Sequence, residues 1–288
     1  MTTLLRSMTQ DDVEPCGRIC FEAFKGISDK HNFRWDFPTL EQGIQFIQSI
    51  FSSPYVFNVV AENNGTVVGS NHLWEYDAVR AVGPITVDPA TQAQGIGRML
   101  MQAVIERGAG TKSIRLVQDA FNGASLSLYT SLGFDVKEPL VMIEGVAKGE
   151  VPKGTEVRTI DENDFEQCSE LCKATIGVDR SNELKHIPPF LPTYVAVRDG
   201  KIRAYAAAPH FWALNHAVAE TVADMAAVLA GASIHGQGAP LSFLLPVRQA
   251  ELFRWCLSSG LRVLKPMNLM SMGEYQEPSQ PYIPSVGY

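Results

Sequence analysis

The stretch Gln92–Leu100, QAQGIGRML, constrains the fold of this chain more than any other. An apolar run from Ile85 to Val87 precedes it. A helical pattern follows, with Ile96, Met99, Leu100, Ala103 and Val104 at i, i+3, i+4, i+7 and i+8, one face of an amphipathic helix. Arg107 in the last turn and Gly108 just beyond it are stop signals. The segment therefore reads as strand, glycine loop, helix. Gly95 and Gly97 lack a Cβ, so their backbone can approach a ligand closely. The first helical amides have no intrahelical acceptor, and the helix dipole adds positive potential. Such a loop suits a phosphate or pyrophosphate. It is not a Walker loop, since no Gly-Lys-Ser/Thr follows. It is not a Rossmann fingerprint, since Leu100 stands where the third glycine belongs.

The 288 residues suit two domains better than one. Hydrophobic residues make up 45% and charged residues 19%, enough apolar material for a core in each half. The net charge of −7, with no Lys/Arg block, argues against nucleic acid as a partner. No long apolar run occurs at the start or elsewhere, so no membrane segment is expected and the location reads as cytoplasmic. The five cysteines form no C-x-x-C pair and read as buried thiols in a reducing compartment. No metal site is expected, because the Cys-x-x-x-Cys pairs lack further ligands at a recognisable spacing.

Those pairs show something else. Cys16 and Cys20 reappear as Cys168 and Cys172, an offset of 152 that also carries Arg6 onto Arg158, Asp12 onto Asp164 and Glu14 onto Glu166. Further on, Gly133, Val136 and Pro139 meet Gly260, Val263 and Pro266 at an offset of 127. The chain therefore reads as two diverged copies of one domain, residues 1–148 and 155–288, with the second shorter. The boundary falls in the glycine- and proline-rich stretch Gly145–Thr155.

Along the first copy, helices are expected to about Lys25 and over Leu40–Phe51, separated by a polar-aromatic stretch Gly26–Pro38. Strands are expected over Tyr55–Glu62 and Thr66–Trp74, joined at Asn63-Asn64-Gly65, then over Val79–Val87 and Ser113–Val117. A helix over Asn122–Leu132 and one or two strands over Phe134–Gly145 close the copy. In the second copy, strands Thr193–Arg198 and Lys201–Ala208 flank Asp199-Gly200. The tail Pro278–Tyr288 is too proline-rich for regular structure.

Gln92, Gly95 and Gly97 resemble the Q/R-x-x-G-x-G/A signature of the GCN5-related N-acetyltransferases. The family's second motif, N-x-x-A/S-x-x-L-Y-x-x-x-G-F, is matched by Asn122, Ser125, Leu128, Tyr129, Gly133 and Phe134. The resemblance implies two tandem α/β domains of that family, each a mixed sheet flanked by helices. It further implies acetyl-CoA as cosubstrate and direct transfer of the acetyl group to a primary amine, on a small molecule or a peptide. The implied coenzyme contacts are Ile85 and Val87 on the strand, the loop Gln92, Ala93, Gln94, Gly95, Ile96, Gly97 and Arg98, and Asn122 with Ser125. Tyr129 is implied as the general acid that protonates the leaving thiolate.

The general base is drawn from Glu75, Asp77 and Asp119 or from water, with Glu75 preferred; Asp88 reads as a turn cap and His72 as structural. Phe33, Trp35 and Phe37, with the acidic balance, suit a cationic amine with an apolar portion. The second copy lacks the glycine loop, and Gln249 and Cys256 replace Asn122 and Tyr129 at the 127 offset, so it is expected to be degenerate and to bind no coenzyme. The expected assembly is a monomer that acts as an internal pseudo-dimer, or a homodimer. A different class of function, a non-catalytic acyl-CoA sensor or scaffold, is the alternative.

Overall fold

Thr9 and Asp12 cap one another reciprocally and launch the first long helix of the chain. Before them runs β1 (Thr3–Ser7); after them runs α1 (Val13–His31). The computed structural model in which they are seen describes residues 3–286, so Gly287 and Tyr288 of the proline-rich tail lie outside it. α1 continues past the expected end at Lys25. An i,i+4 pair between Lys25 and Asp29 supports the extra turns, and Asn32, in the left-handed conformation at φ 59°, closes them. α2 (Leu40–Phe51), β2 (Val56–Asn63) and β3 (Thr66–Trp74) fall where the periodicity puts them.

The next strand is broken. Instead of one run over 79–87 there are β4 (Val79–Val82) and β5 (Thr86–Val87). Gly83 has φ 133° and Pro84 has no N–H to offer the ladder, so the pairing with β3 lapses and resumes out of step. α3 (Ile96–Arg107), β6 (Ser113–Asp119) and α4 (Gly123–Ser131) follow.

The chain forms two compact units. The first reaches to Leu116 and takes in Phe121–Asp135. Its strands lie in the order β1-β2-β3-β4-β6; β1 to β4 are antiparallel to one another in succession, and β4 runs parallel to β6. One face of β3 meets α3, where Asn71 donates to the Leu100 carbonyl. The other face meets α1 and α2, whose Cys16, Cys20, Ile47 and Ile50 form a core with Val56 and Val60.

The second unit comprises Val117–Ala120 and the chain from Val136 onward. It holds β7 (Asp135–Gly145), β8 (Thr155–Thr159), α5 (Phe165–Ile176), α6 (Ser181–Lys185), β9 (Thr193–Arg198), β10 (Lys201–Ala207) and β11 (His216–Ala219). Then come α7 (Val222–His235), β12 (Leu241–Pro246), α8 (Ala250–Ser258), β13 (Arg262–Gly273) and β14 (Tyr282–Ile283). One sheet has the order β14-β11-β10-β9-β8, and β7 lies between β13 and β12. β7 closes the first sequence copy yet packs within the second unit, so the repeat and the compact units divide the chain at different places. β14 also corrects the tail: its two residues keep their N–H groups, and the prolines at 281 and 284 only bracket them.

The repeat is visible in side-chain detail. Arg6 donates to Asp12 from both terminal nitrogens at 2.6 and 2.9 Å, and Arg158 does the same to Asp164 at the same two distances. Each carboxylate also accepts the backbone N–H three residues before it, from Thr9 and Asp161. This clasp ties the first strand of each copy to the start of its first helix. Hydrogen bonds from Arg6 hold the Asp12 carboxyl down at about 2, and Arg158 shifts Asp164 in the same direction.

Asp12→Ala and Asp164→Ala should each cost about 2 kcal/mol, the scale for losing hydrogen bonds to a charged group, because the arginine left behind is about a third exposed in each copy. Urea unfolding at pH 7 measures this. A loss below about 0.5 kcal/mol in either variant would show that the clasp does not hold that copy.

Candidate active site

The site grows out of the break between β4 and β5. Among the described strands, β5 pairs with β3 alone, so its other edge is open. Val87 ends that edge and the glycine loop begins at once. Asp88 caps the first turn, its Oδ1 accepting from the Ala90 N–H at 2.8 Å. Gln92 folds back to donate to the Val87 carbonyl at 3.3 Å. Ala93 and Gly95 are left-handed, at φ 65° and 82°, which turns the chain sharply into α3. Gly95 is needed for that conformation.

The first α3 bond runs from Met99 N–H to the Gly95 carbonyl, so the amides of Ile96, Gly97 and Arg98 have no intrahelical acceptor. Residues Gln92–Gly95 are exposed and Ile96 is buried, which leaves the loop open above an anchored helix. A Cβ on Gly97 would lie 3.5 Å from Leu128 and 3.8 Å from Val87. Strand edge, loop and α4 therefore meet at this one residue.

α4 carries the second motif. Asn122 Oδ1 accepts from the Ser125 N–H at 3.2 Å, and the Ser125 hydroxyl donates to the Asn122 carbonyl. Both motif residues thus build the start of the helix. Tyr129 lies on its buried side, 8% exposed, with its ring edge-on to Phe134 at 6.4 Å. Arg98 donates to the Ser131 hydroxyl at 2.6 Å, which fixes its guanidinium between α3 and α4.

The carboxylates behave differently. Glu75 binds Arg107 through two bonds, at 3.2 and 2.9 Å. Arg107 is the last residue of α3, about 17 Å along the helix from the loop at 1.5 Å per residue. The structure does not bring Glu75 together with the loop. Asp77 accepts from Arg80 through its carbonyl. Asp119, in the second unit, is buried with Lys265 at 2.8 Å.

His72 is fully buried with Nδ1 2.6 Å from Asn58 Oδ1, and burial pushes its pKa down to about 3. In the β3–β5 ladder Thr86 is paired in register with Ser70; its hydroxyl is buried with no hydrogen-bond partner among the described residues. The five cysteines are free and buried. Burial raises the Cys16 thiol to about 12, so it stays protonated at neutral pH.

The aromatic stretch divides three ways. Phe37 joins the core beside Phe24 and Phe46. Trp35 stays at the surface, its ring nitrogen donating to Asp29. Phe33 stacks on Phe121 at 4.3 Å, with His31 against the same ring. Phe121 directly precedes Asn122 and was not singled out from the sequence. Its position next to a motif residue was the available signal.

Comparison with known proteins agrees with this geometry. Residues 22–134 match the model of the acetyltransferase (GNAT) family. A putative acetyltransferase from Pyrococcus horikoshii superposes with a TM-score of 0.75 at 19% identity, over 97% of this chain and 92% of that one. A GCN5-related N-acetyltransferase from Sphaerobacter thermophilus gives 0.60 at 14% identity, over 96% of each chain. A tandem GNAT protein from the clavulanic acid biosynthesis pathway gives 0.59 at 12%, over 96% of this chain and all of that one. No curated protein matches the sequence. The fold is thus two tandem GNAT-like domains. Among the described residues, no helix is long and apolar enough to cross a membrane.

Burial of neutral His72 sets a pH dependence. Its pKa is near 6.5 in the unfolded chain and about 3 when folded, so between those values only the unfolded state takes up the proton. Its contribution to stability is therefore complete above pH 6.5 and declines as pH falls, approaching about 1.4 kcal/mol per unit. Urea unfolding of the wild type and His72→Gln at pH 7 and pH 5 should show a shallower loss in the variant. Equal losses would mean that His72 does not carry this slope.

Proposed function

We propose that the chain, whose residues 22–134 match the model of the acetyltransferase (GNAT) family, is an acetyl-CoA-dependent N-acetyltransferase acting on a primary amine. The observation that carries the reading is the open edge of β5 running directly into a glycine loop and a helix N-terminus. An extended arm with amide groups can pair with such an edge, and its pyrophosphate can rest on the amides beyond it. In this reading Ile85 and Val87 hold the pantetheine arm through their backbone. Residues 92–98 hold the pyrophosphate, and Arg98 adds charge from its seat on Ser131. Asn122 and Ser125 shape the other wall. The site belongs to the copy spanning 1–148, and no coenzyme is assigned to 155–288.

The chemistry follows from the groups present. A neutral amine attacks the thioester carbonyl within a ternary complex. The carbon–sulfur bond then breaks, and the departing thiolate takes a proton from the Tyr129 hydroxyl. The ammonium proton of the adduct leaves through water. Glu75 is the less suitable acceptor because Arg107 already engages both of its oxygens. The acceptor is a small-molecule or peptide amine. The Phe33–Phe121 stack beside Asn122 favours one with an apolar portion next to the nitrogen.

Thiol release from acetyl-CoA across a panel of amines tests the proposal. Tyr129→Phe keeps the ring contact with Phe134 and should lower turnover about ten- to a thousandfold, with coenzyme affinity nearly unchanged. Equal losses of affinity and turnover would make Tyr129 a packing residue. Gly97→Val should abolish coenzyme binding, measured by calorimetry, because side-chain methyls would bar close approach to the loop. Saturable binding with no turnover on any amine would favour a sensor instead.

A further inference from the structure

The second copy has the same strand, gap and helix as the first, but its gap is filled. β8-β9-β10-β11 repeat the antiparallel pairing of β1-β2-β3-β5, and α7 follows β11 as α3 follows β5. Two differences stand out. Only Glu220 and Thr221 join β11 to α7, where the first copy spends Asp88–Gly95. No room remains for a phosphate loop. The open edge is also occupied: β14 pairs antiparallel with β11, Ala217 opposite Ile283 and Val218 opposite Tyr282, and lies against β12 on its other side. The Ala219 N–H donates to the Pro281 carbonyl at 3.0 Å.

Gln249 is the counterpart of Asn122 at the 127 offset and stands at the start of α8 as Asn122 does at α4. Its amide pairs with both backbone polar groups of one residue, Tyr282. Nε2 donates to the Tyr282 carbonyl, and Oε1 accepts from the Tyr282 N–H at 3.0 Å. Tyr282, Ile283 and Ser285 are 1%, 0% and 0% exposed.

We infer that the second copy is a strand-accepting cleft that binds a peptide backbone where the first copy is proposed to bind the coenzyme arm, and that its occupant is the segment 278–286 of the same chain. This comparison rests on the acetyl-CoA reading of the first copy; the peptide binding itself does not. The recognition is strand addition: main-chain bonds to β11 supply affinity, and the Gln249 amide sets the register. The cleft that lost its phosphate loop retained its strand edge. An exposed edge is a liability for a soluble chain, and the segment covers it.

The test uses the whole chain with a protease site inserted between Glu277, whose side chain is 79% exposed, and Pro278. After cleavage of the folded protein, the freed segment should stay bound through gel filtration. It should exchange, one to one, with a fluorescent peptide of sequence 278–288. A peptide carrying Tyr282→Pro, which lacks the N–H that Gln249 accepts, should fail to exchange. Gln249→Ala should speed dissociation at least tenfold.

Loss of the segment with no change in the unfolding midpoint and no peptide uptake would overturn the inference. In the uncleaved chain, Gln249→Ala should raise hydrogen exchange at Ala217–Ala219 while β9 and β10 stay protected; unchanged exchange would also overturn it. Coenzyme titration of the uncleaved chain is a separate reading: absence of binding there would remove the proposed function and leave the peptide cleft standing.

Discussion

A strand edge with no neighbour is the constraint around which both copies are arranged. Backbone N–H and C=O groups left unpaired inside a protein are costly, so a gap in a sheet must be closed or put to use. In the first copy, β4 pairs with β6 only over Val79–Ala81, and the chain then breaks at Gly83 and Pro84. β5 is left with β3 on one side only. The glycine loop, the N-terminus of α3 and the motif helix α4 gather around that edge. In the second copy the equivalent edge on β11 is closed by β14.

The two copies diverged at the gap and kept what holds a copy together. The Arg–Asp clasp at the first strand survives atom for atom, as do the buried cysteine pairs on α1 and α5. The closing strands β7 and β13 keep nearly the same burial pattern. At one matched position, however, the first copy has Glu138 and the second Lys265, both buried. Glu138 pairs with Arg248 and Tyr275, and Lys265 with Asp119. An exchange of the two strands would set like charges together in both places.

Much of this was legible in the sequence because it is local. The period of α2, the Asn-Gly hairpin between β2 and β3, the strand-loop-helix around Gly95 and the cap at Asn122 each depend on residues within a turn or two. The repeat was legible because the clasp needs Arg and Asp six residues apart in both copies. What misled was equally specific. Gly26 reads as a breaker, yet the Lys25–Asp29 pair carries α1 through it. The proline-rich tail reads as irregular, yet between its prolines lie two residues that an open edge can order.

The sequence by itself determined the twofold repeat, the glycine loop and the motif helix that carries Tyr129, because each follows from short-range periodicity, turn chemistry and spacing, and its two motifs carried the resemblance to the GNAT family. Only the tertiary structure decided which sheet receives β7, that Arg107 claims Glu75 and that β14 pairs with β11. Those outcomes depend on partners tens to hundreds of residues apart, and the preference of a strand edge or a carboxylate among such partners is settled only when the chain has folded.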